Sequence, residues 1–98
     1  MNSLRISTAT ITSANQFSQA VQFDSNSYFL VSVEGTFTAA VTLQKSYDNG
    51  VTWNDQPDSN WTTPIEMVCL AVDNSVLWRI GVKSGNYTSG SINTRISQ

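Results

Sequence analysis

The chain has 98 residues, a length suited to one domain with a single modest hydrophobic core. Charged residues make up 12% of it, about half the usual share, and its formal net charge is −2. The five cationic residues are scattered, and no apolar run approaches the ~18 residues of a membrane helix. We therefore expect one domain over residues 1–98, with neither a nucleic-acid nor a membrane partner.

The first predicted strand shows a change of phase. Leu4 and Ile6 share one face of an extended chain, whereas Ala9 and Ile11 occupy the other face. A slip of one residue moves side chains to the opposite face of a sheet, so this pattern predicts a bulge near Ser7-Thr8.

The next strands are predicted from apolar spacing and turn residues. Phe17, Val21 and Phe23 predict a second strand, which ends at a turn over residues 24–27. The following run, Tyr28–Val33, is apolar on both faces, which indicates a central strand or one covered by a partner. On its outer face Tyr28 and Leu30 are candidate contact residues for a second copy. Glu34-Gly35-Thr36 is predicted to end this strand.

A polar turn over residues 46–53 connects two strand-like runs, 39–44 and 51–53, and predicts a β-hairpin centred on Asp48-Asn49-Gly50. Gly supplies a positive φ at no steric cost, and the Asp and Asn side chains can bond their own backbone. The pattern S-x-D-x-G-x-T-W resembles the Asp-box of sialidase-like β-proteins, in which it is a folding device on a hairpin. The resemblance implies a structural role for Ser46, Asp48, Gly50 and Trp53.

The second half continues with turns and strands. Residues 54–64 form a predicted polar loop that carries Trp61, and the apolar run Ile65–Val72 is too short and too β-branched to assign to a helix. A turn over residues 73–75 precedes two alternating strands, 76–83 and 91–97. The whole pattern predicts an all-β chain, an antiparallel β-sandwich of seven or eight short strands, Ig-like or jelly-roll-like, without a long helix. The predicted core comprises Val31, Val41, Leu43, Trp53, Trp78, Ile80 and Ile92.

Catalytic chemistry has little support in this composition. The chain contains no His and only one Cys, which excludes His-assisted nucleophiles and thiolate zinc sites. Cys69 lies among apolar residues and is expected to be a small buried hydrophobe. Asp55 and Asp58 share a loop that lacks the spacing of a strong calcium site. We therefore expect no enzymatic activity, no cofactor and no metal.

A family resemblance covers most of residues 33–98. The segment GTFTAAVTLQKSYDNGVTW, residues 35–53, resembles the "GTFxxxVTLQxSxDxGxTW" segment of small virion proteins of tailed bacteriophages. The ending, Leu77–Ile80 followed by GNYTSGSINTRISQ at residues 85–98, is similar to their "YRxxxxxGxYTSGTxxxRLSQ" ending, with Trp78 in place of Tyr and Ser91 and Ile96 in place of Thr and Leu. The resemblance implies a setting on a virion, on a head, neck or fibre.

The resemblance and the composition lead to one function and two alternatives. The function is a non-enzymatic virion structural protein, a capsid decoration or head/neck accessory protein made in the host bacterial cytoplasm. Its expected partners are other virion proteins, as a homo-oligomer or as multiple copies on a symmetric shell. One alternative is a carbohydrate-binding module of a tail or fibre, in which Trp61 stacks on a sugar together with Tyr47 or Tyr28. The other is a host-directed inhibitor made during infection.

Overall fold

The computed structural model describes residues 5–71, 73 and 75–98, which form a small antiparallel β-sandwich. Its strands are β1 (Ile6–Ile11), β2 (Gln16–Phe17), β3 (Val21–Gln22), β4 (Ser27–Ala39), β5 (Thr42–Ser46), β6 (Asn54–Asp55), β7 (Ile65–Ala71), β8 (Leu77–Val82) and β9 (Tyr87–Ser97). No helix occurs in the described residues. The predicted fold class is confirmed. The structure has nine strands where seven or eight were predicted. The count is higher because it includes three strands of only two residues each.

Two sheets face each other across the core. The four-stranded sheet has the order β1-β9-β4-β7. The five-stranded sheet has the order β2-β8-β5-β6, with β3 also paired to β8. Strand β9 lies between β1 and β4, so the last strand of the chain holds the first and the longest strands together.

The core is built from side chains on the two inner faces. Six of the predicted core residues are buried, and the half-buried Trp53 is the exception. Phe29 lies between two other aromatic residues, with ring centroids 4.5 Å from Phe23 and 4.8 Å from Trp78. The buried apolar residues are Ile11, Phe23, Phe29, Val31, Val33, Val41, Leu43, Ala71, Val76, Trp78, Ile80, Val82, Ile92 and Ile96.

The predicted bulge in the first strand is wrong. Strand β1 pairs with β9 in one uninterrupted register, from Ile6 opposite Ser97 to Ile11 opposite Ile92. Ser7 occupies the inner face, where its hydroxyl donates to the Gln19 carbonyl, and Ile6 points outward. A buried polar residue therefore produced the apparent change of phase. Leu4 lies outside the described residues.

The predicted second strand is divided in two. Between β2 and β3 the Ser18 hydroxyl accepts from the Ile80 N–H at 3.0 Å, while the Ser18 N–H donates to the Ile80 carbonyl at 2.8 Å. The side chain of Ser18 thus replaces one backbone partner of β8. This leaves Phe17 and Val21 on separate short strands.

Strand β4 does not end at the predicted break. Gly35 adopts a φ of +115°, and a Cβ at this position would lie 2.3 Å from the Ser91 carbonyl oxygen. Only glycine fits this conformation and this close approach, so the strand continues through it to Ala39. The unassigned run beginning at Ile65 forms β7 as far as Ala71. Val72, and Asn74 in the next predicted turn, lie outside the described residues.

Candidate interaction surface

The predicted hairpin is present with a longer loop. Residues 47–53 connect β5 to β6, and pairing resumes with Lys45 opposite Asn54 and Gln44 opposite Asp55. The prediction that residues 51–53 form the return strand is therefore wrong. Their polar groups form hydrogen bonds within the loop, and pairing with β5 begins only after the loop.

Two side chains organise this loop. The Ser46 hydroxyl donates to Asp48 Oδ1 at 2.7 Å and accepts from the Gly50 N–H at 2.8 Å. The Asp48 carboxylate accepts from the Thr52 N–H at 2.9 Å and from the Thr52 hydroxyl at 2.5 Å. The Thr52 hydroxyl, followed by the Thr52 N–H and the Ser46 hydroxyl, lowers the pKa of Asp48 from 3.8 to about 2. This carboxylate stabilises the turn.

Trp53 belongs to the outer face of the five-stranded sheet. Its ring contacts the Arg79 guanidinium, whose central carbon lies 4.3 Å from the Trp53 centroid and 3.9 Å from the Phe17 centroid. Arg79 Nε also donates to Gln44 Oε1 at 2.9 Å. The alternation of β8 points Arg79 outward between Trp78 and Ile80, and this is why Trp53 covers a sheet surface instead of entering the core.

A chain of polar contacts continues from this stack. Gln44 Nε2 donates to Asp55 Oδ1 at 2.9 Å, and Lys83 Nζ lies 2.6 Å from Asp55 Oδ2. The bonds from Lys83 and then from Gln44 hold the pKa of Asp55 below its ordinary value. Asp55 is thus engaged by the sheet itself. Nothing local in the sequence indicates this network, because its members come from β5, β6, β8 and the residue that follows β8.

The aromatic residues proposed to bind a sugar lie apart. Trp61 is half-buried against the core, and its backbone N–H and carbonyl bond Val41 at 2.9 and 2.8 Å. Tyr47 is 63% exposed and follows the other end of β5. Tyr28 belongs to the other sheet. The structure therefore does not bring the three rings onto one surface.

An apolar patch lies at one end of the outer face of the four-stranded sheet. Tyr28 is opposite Leu70, and Leu30 is opposite Val68 on one side and Ser97 on the other. Ser97 in turn is opposite Ile6. Tyr28 is 67% exposed and Val68 57% exposed, whereas Leu30 is half-buried. We call Ile6, Tyr28, Leu30, Val68 and Leu70 the apolar patch.

Two members of the apolar patch, Tyr28 and Leu30, were predicted from the sequence, and three were missed. The signal for Val68 and Leu70 was present, because β7, like β4, is apolar in both phases of its alternation. Two neighbouring strands that are apolar on both faces bury only one face against the core. Their other apolar face stays exposed on the sheet surface. No comparable signal existed for Ile6, whose phase was misread.

The other end of the same face is polar. Arg95 lies opposite Ser32 on one side and Thr8 on the other, and Glu34 lies opposite Asn93. The Ser32 hydroxyl donates to Glu34 Oε2 at 3.3 Å. These polar side chains line a shallow depression of about 420 Å³. The face therefore offers apolar contact at one end and hydrogen-bonding groups at the other.

Other site chemistry is sparse in the part of the chain that the structure describes. There, no three side chains from Asp, Glu and Cys lie together in a way that could hold a metal ion. The same residues include no helix that could cross a membrane. Burial raises the pKa of the half-buried Cys69 thiol, which keeps it in the unreactive protonated form.

Among the described residues, the apolar patch is thus a feature suited to contact with another protein surface. No protein-family model, curated protein or solved structure matches this chain.

Proposed function

We propose that this chain is a non-enzymatic structural protein of a tailed-bacteriophage particle, a capsid decoration or head/neck accessory protein. It acts through protein–protein contacts, in several copies, and its partners are other virion proteins. The observation that carries the proposal is the apolar patch, which has members on three of the four strands of one sheet and is uncovered by the described residues.

The physical character of this face supports a contact function. A large apolar side chain with a polar tip, such as Tyr28, gives much contact area at little entropic cost. The adjoining polar end supplies hydrogen-bonding groups, which are typical of the rim of an interface. Only 12% of the chain is charged, so many copies can lie close together with little mutual repulsion.

The resemblance of residues 35–53 and 85–98 to small virion proteins supplies the setting. These two segments include the hairpin motif and all of β9. They account for the β-sandwich as well as for the turn, but they do not include the apolar patch apart from its neighbour Ser97. The patch and the resemblance are therefore two separate lines of support.

The direct test is to locate the chain in purified particles of the phage that encodes it. Mass spectrometry should detect it in stoichiometric amounts, and imaging should place it at repeated positions on the head or neck. Particles that are complete and infectious without any trace of the chain would overturn the proposal.

A pair of matched variants tests the surface. Tyr28 and Tyr47 are 67% and 63% exposed, but only Tyr28 belongs to the apolar patch. Tyr28→Asp should weaken binding to particles that lack the chain by about tenfold or more, since interface aromatics often contribute at least 1–2 kcal/mol. Tyr47→Asp should bind as the unchanged protein does. Equal binding of both variants would exclude this face as the contact.

The carbohydrate-binding alternative remains a hypothesis with its own experiment. A glycan array probed with the purified protein should be blank if the chain is a capsid or neck component. A glycan that binds the unchanged protein and is lost in Trp61→Ala, with the fold intact by circular dichroism, would favour the alternative.

A further inference from the structure

Strand β7 forms a long free edge of the four-stranded sheet. It pairs with β4 on one side, in a single register from Ile65 opposite Val33 to Ala71 opposite Ser27, and has no second partner among the described residues. Edge strands in natural proteins are normally shortened, bulged or provided with Lys or Pro, because their free backbone groups pair with other chains. Strand β7 has none of these features over seven residues, and its one charge is on Glu66.

The other edges of the sandwich are protected by comparison. Along β1, the Arg5 guanidinium donates to the Gln22 carbonyl at 2.8 Å and the Ser7 hydroxyl donates to the Gln19 carbonyl. These bonds fasten residues 19 and 22, before and within β3, against that edge. The edge strands of the five-stranded sheet are only two residues long. Among the described residues, β7 is thus the longest strand at an edge of either sheet.

The direction of the backbone groups on β7 follows from one contact. The Ala71 carbonyl accepts from the Asn26 N–H at 2.6 Å, which places it on the side of β4. The N–H and C=O of a strand residue point to the same side, and this side alternates along the strand. The backbone groups of Glu66, Val68 and Leu70 therefore point to the free edge.

We propose that β7 pairs with β7 of a second copy of this chain, antiparallel and about a two-fold axis at Val68. In this register Val68 lies opposite its own copy and Glu66 opposite Leu70 of the partner. All three outward-pointing residues then exchange hydrogen bonds, and the full length of the strand is used. The two four-stranded sheets become one continuous eight-stranded sheet.

Charge and apolar surface both favour this arrangement. A shift of the axis to Glu66 would set two carboxylates directly opposite each other, which destabilises a strand pair. The axis at Val68 avoids this contact and joins the two apolar patches across the new strand pair, since Val68 and Leu70 belong to both the edge and the patch. The inference deepens the proposed function by naming a second copy as one partner of this sheet.

The oligomeric state of the isolated protein is the first test. Analytical ultracentrifugation should show a dimer at protein concentrations of about 100 μM, because an edge contact is smaller than a standard interface. Val68→Pro removes an N–H on the free edge, a position at which strands tolerate proline, and should leave a folded monomer. Tyr28→Asp alters the face but not the edge and should still dimerise. A monomeric unchanged protein, or a Val68→Pro dimer, would overturn the proposal.

Cross-linking tests the register without relying on proline. In a Cys69→Ser background, Val68→Cys should form a disulfide-linked dimer, since Cα atoms of a hydrogen-bonded pair lie about 5.5 Å apart. Glu66→Cys in the same background should not, because its own copy would lie roughly four residue spacings away, about 14 Å. Equal cross-linking at both positions, or at Glu66 alone, would contradict the two-fold axis at Val68.

These results are independent of the test for the proposed function. A chain that dimerises through β7 but is missing from particles would retain the edge pairing and remove the virion setting. A monomer found in particles would do the reverse.

Discussion

A single hydroxyl group connects the two halves of the hairpin loop. Ser46 Oγ donates to Asp48 and accepts from the Gly50 N–H, so a fully buried oxygen is used as donor and acceptor at once. The Asp48 carboxylate in turn accepts from both the N–H and the hydroxyl of Thr52. All of these contacts lie within six residues of each other in sequence, and for this reason the motif could be read from the sequence alone.

The stability of Gly50 variants should depend on how readily the new residue adopts a positive φ, and not on the size of its side chain. Its φ is +91°, and a Cβ would lie 3.8 Å from both Leu77 and Trp53, which is ordinary contact. Gly50→Val should destabilise the protein by about 1–3 kcal/mol, and Gly50→Asn by less, because Asn enters the left-handed region more readily. Urea denaturation monitored by tryptophan fluorescence gives both values. Equal stability of the three proteins would show that the turn imposes no such constraint.

The depressed pKa of Asp48 predicts a pH dependence of stability. The pKa lies at about 2 in the folded chain, below its ordinary 3.8, so the stabilising contribution is present above pH 3.8 and is lost as the pH falls toward 2. Asp48→Asn cannot titrate and should lose less stability across this interval than the unchanged protein. Urea midpoints at several pH values measure the slope. Identical slopes in the two proteins would contradict the assignment.

At the level of strands, regular alternation of apolar and polar residues was sufficient to predict a strand. The first two predicted strands, in which a polar residue takes a buried position, were not predicted correctly. Strand β8 and the end of β9 were predicted because apolar residues recur there at every second position, with Thr94 as the one polar residue in that series. The misread regions each contain a polar residue with a buried role: Ser7 in β1 and Ser18 between β2 and β3. Hydropathy cannot distinguish such residues from a turn or a slip, because their hydrogen bonds are made to distant segments.

The stack on the outer face of the five-stranded sheet illustrates what sequence could not supply. Phe17, Trp53 and Arg79 come from three separate parts of the chain, and nothing local indicates that they meet. Placing them requires the pairing of β2 and β5 with β8. The hairpin motif places Trp53 after the loop, but only the sheet provides the guanidinium that it covers.

This stack should contribute measurably to stability. Arg79→Ala removes two guanidinium–ring contacts and should cost about 1–2 kcal/mol. Arg79→Lys should recover little of it, because an ammonium group lacks the planar surface that stacks on a ring. Arg95→Ala, on the exposed outer face of the other sheet, is the control and should change stability by no more than about 0.5 kcal/mol. An Arg79→Lys protein as stable as the unchanged one would show that planarity is unimportant.

At the scale of the whole molecule, the topology separates a protected side from an open side. Arg5 and Ser7 bond the backbone of Gln22 and Gln19 at the β1 edge, whereas β7 at the opposite edge pairs, among the described residues, with β4 alone. The apolar patch extends across the same sheet to this open edge. The features that can engage a partner thus converge on one sheet, while the hairpin motif and the stack stabilise the other.

The central position of β9 makes the fold depend on its last residues. Ile96 is fully buried and pairs with Val31 of β4 and Ser7 of β1, so it holds three strands together. Removal of residues 94–98 should abolish cooperative unfolding, since it deletes buried side chains and exposes the edges of both neighbouring strands.

A graded pair of point variants accompanies this deletion. Ile96→Ala should retain the fold at a cost of about 2–5 kcal/mol, as expected for a buried Ile. The adjacent Arg95→Ala should be nearly neutral, because its side chain faces outward. Thermal unfolding by circular dichroism compares all three proteins. A deletion variant that still unfolds cooperatively near the temperature of the full chain would show that β1 and β4 can pair without β9, and the proposed central role of this strand would be wrong.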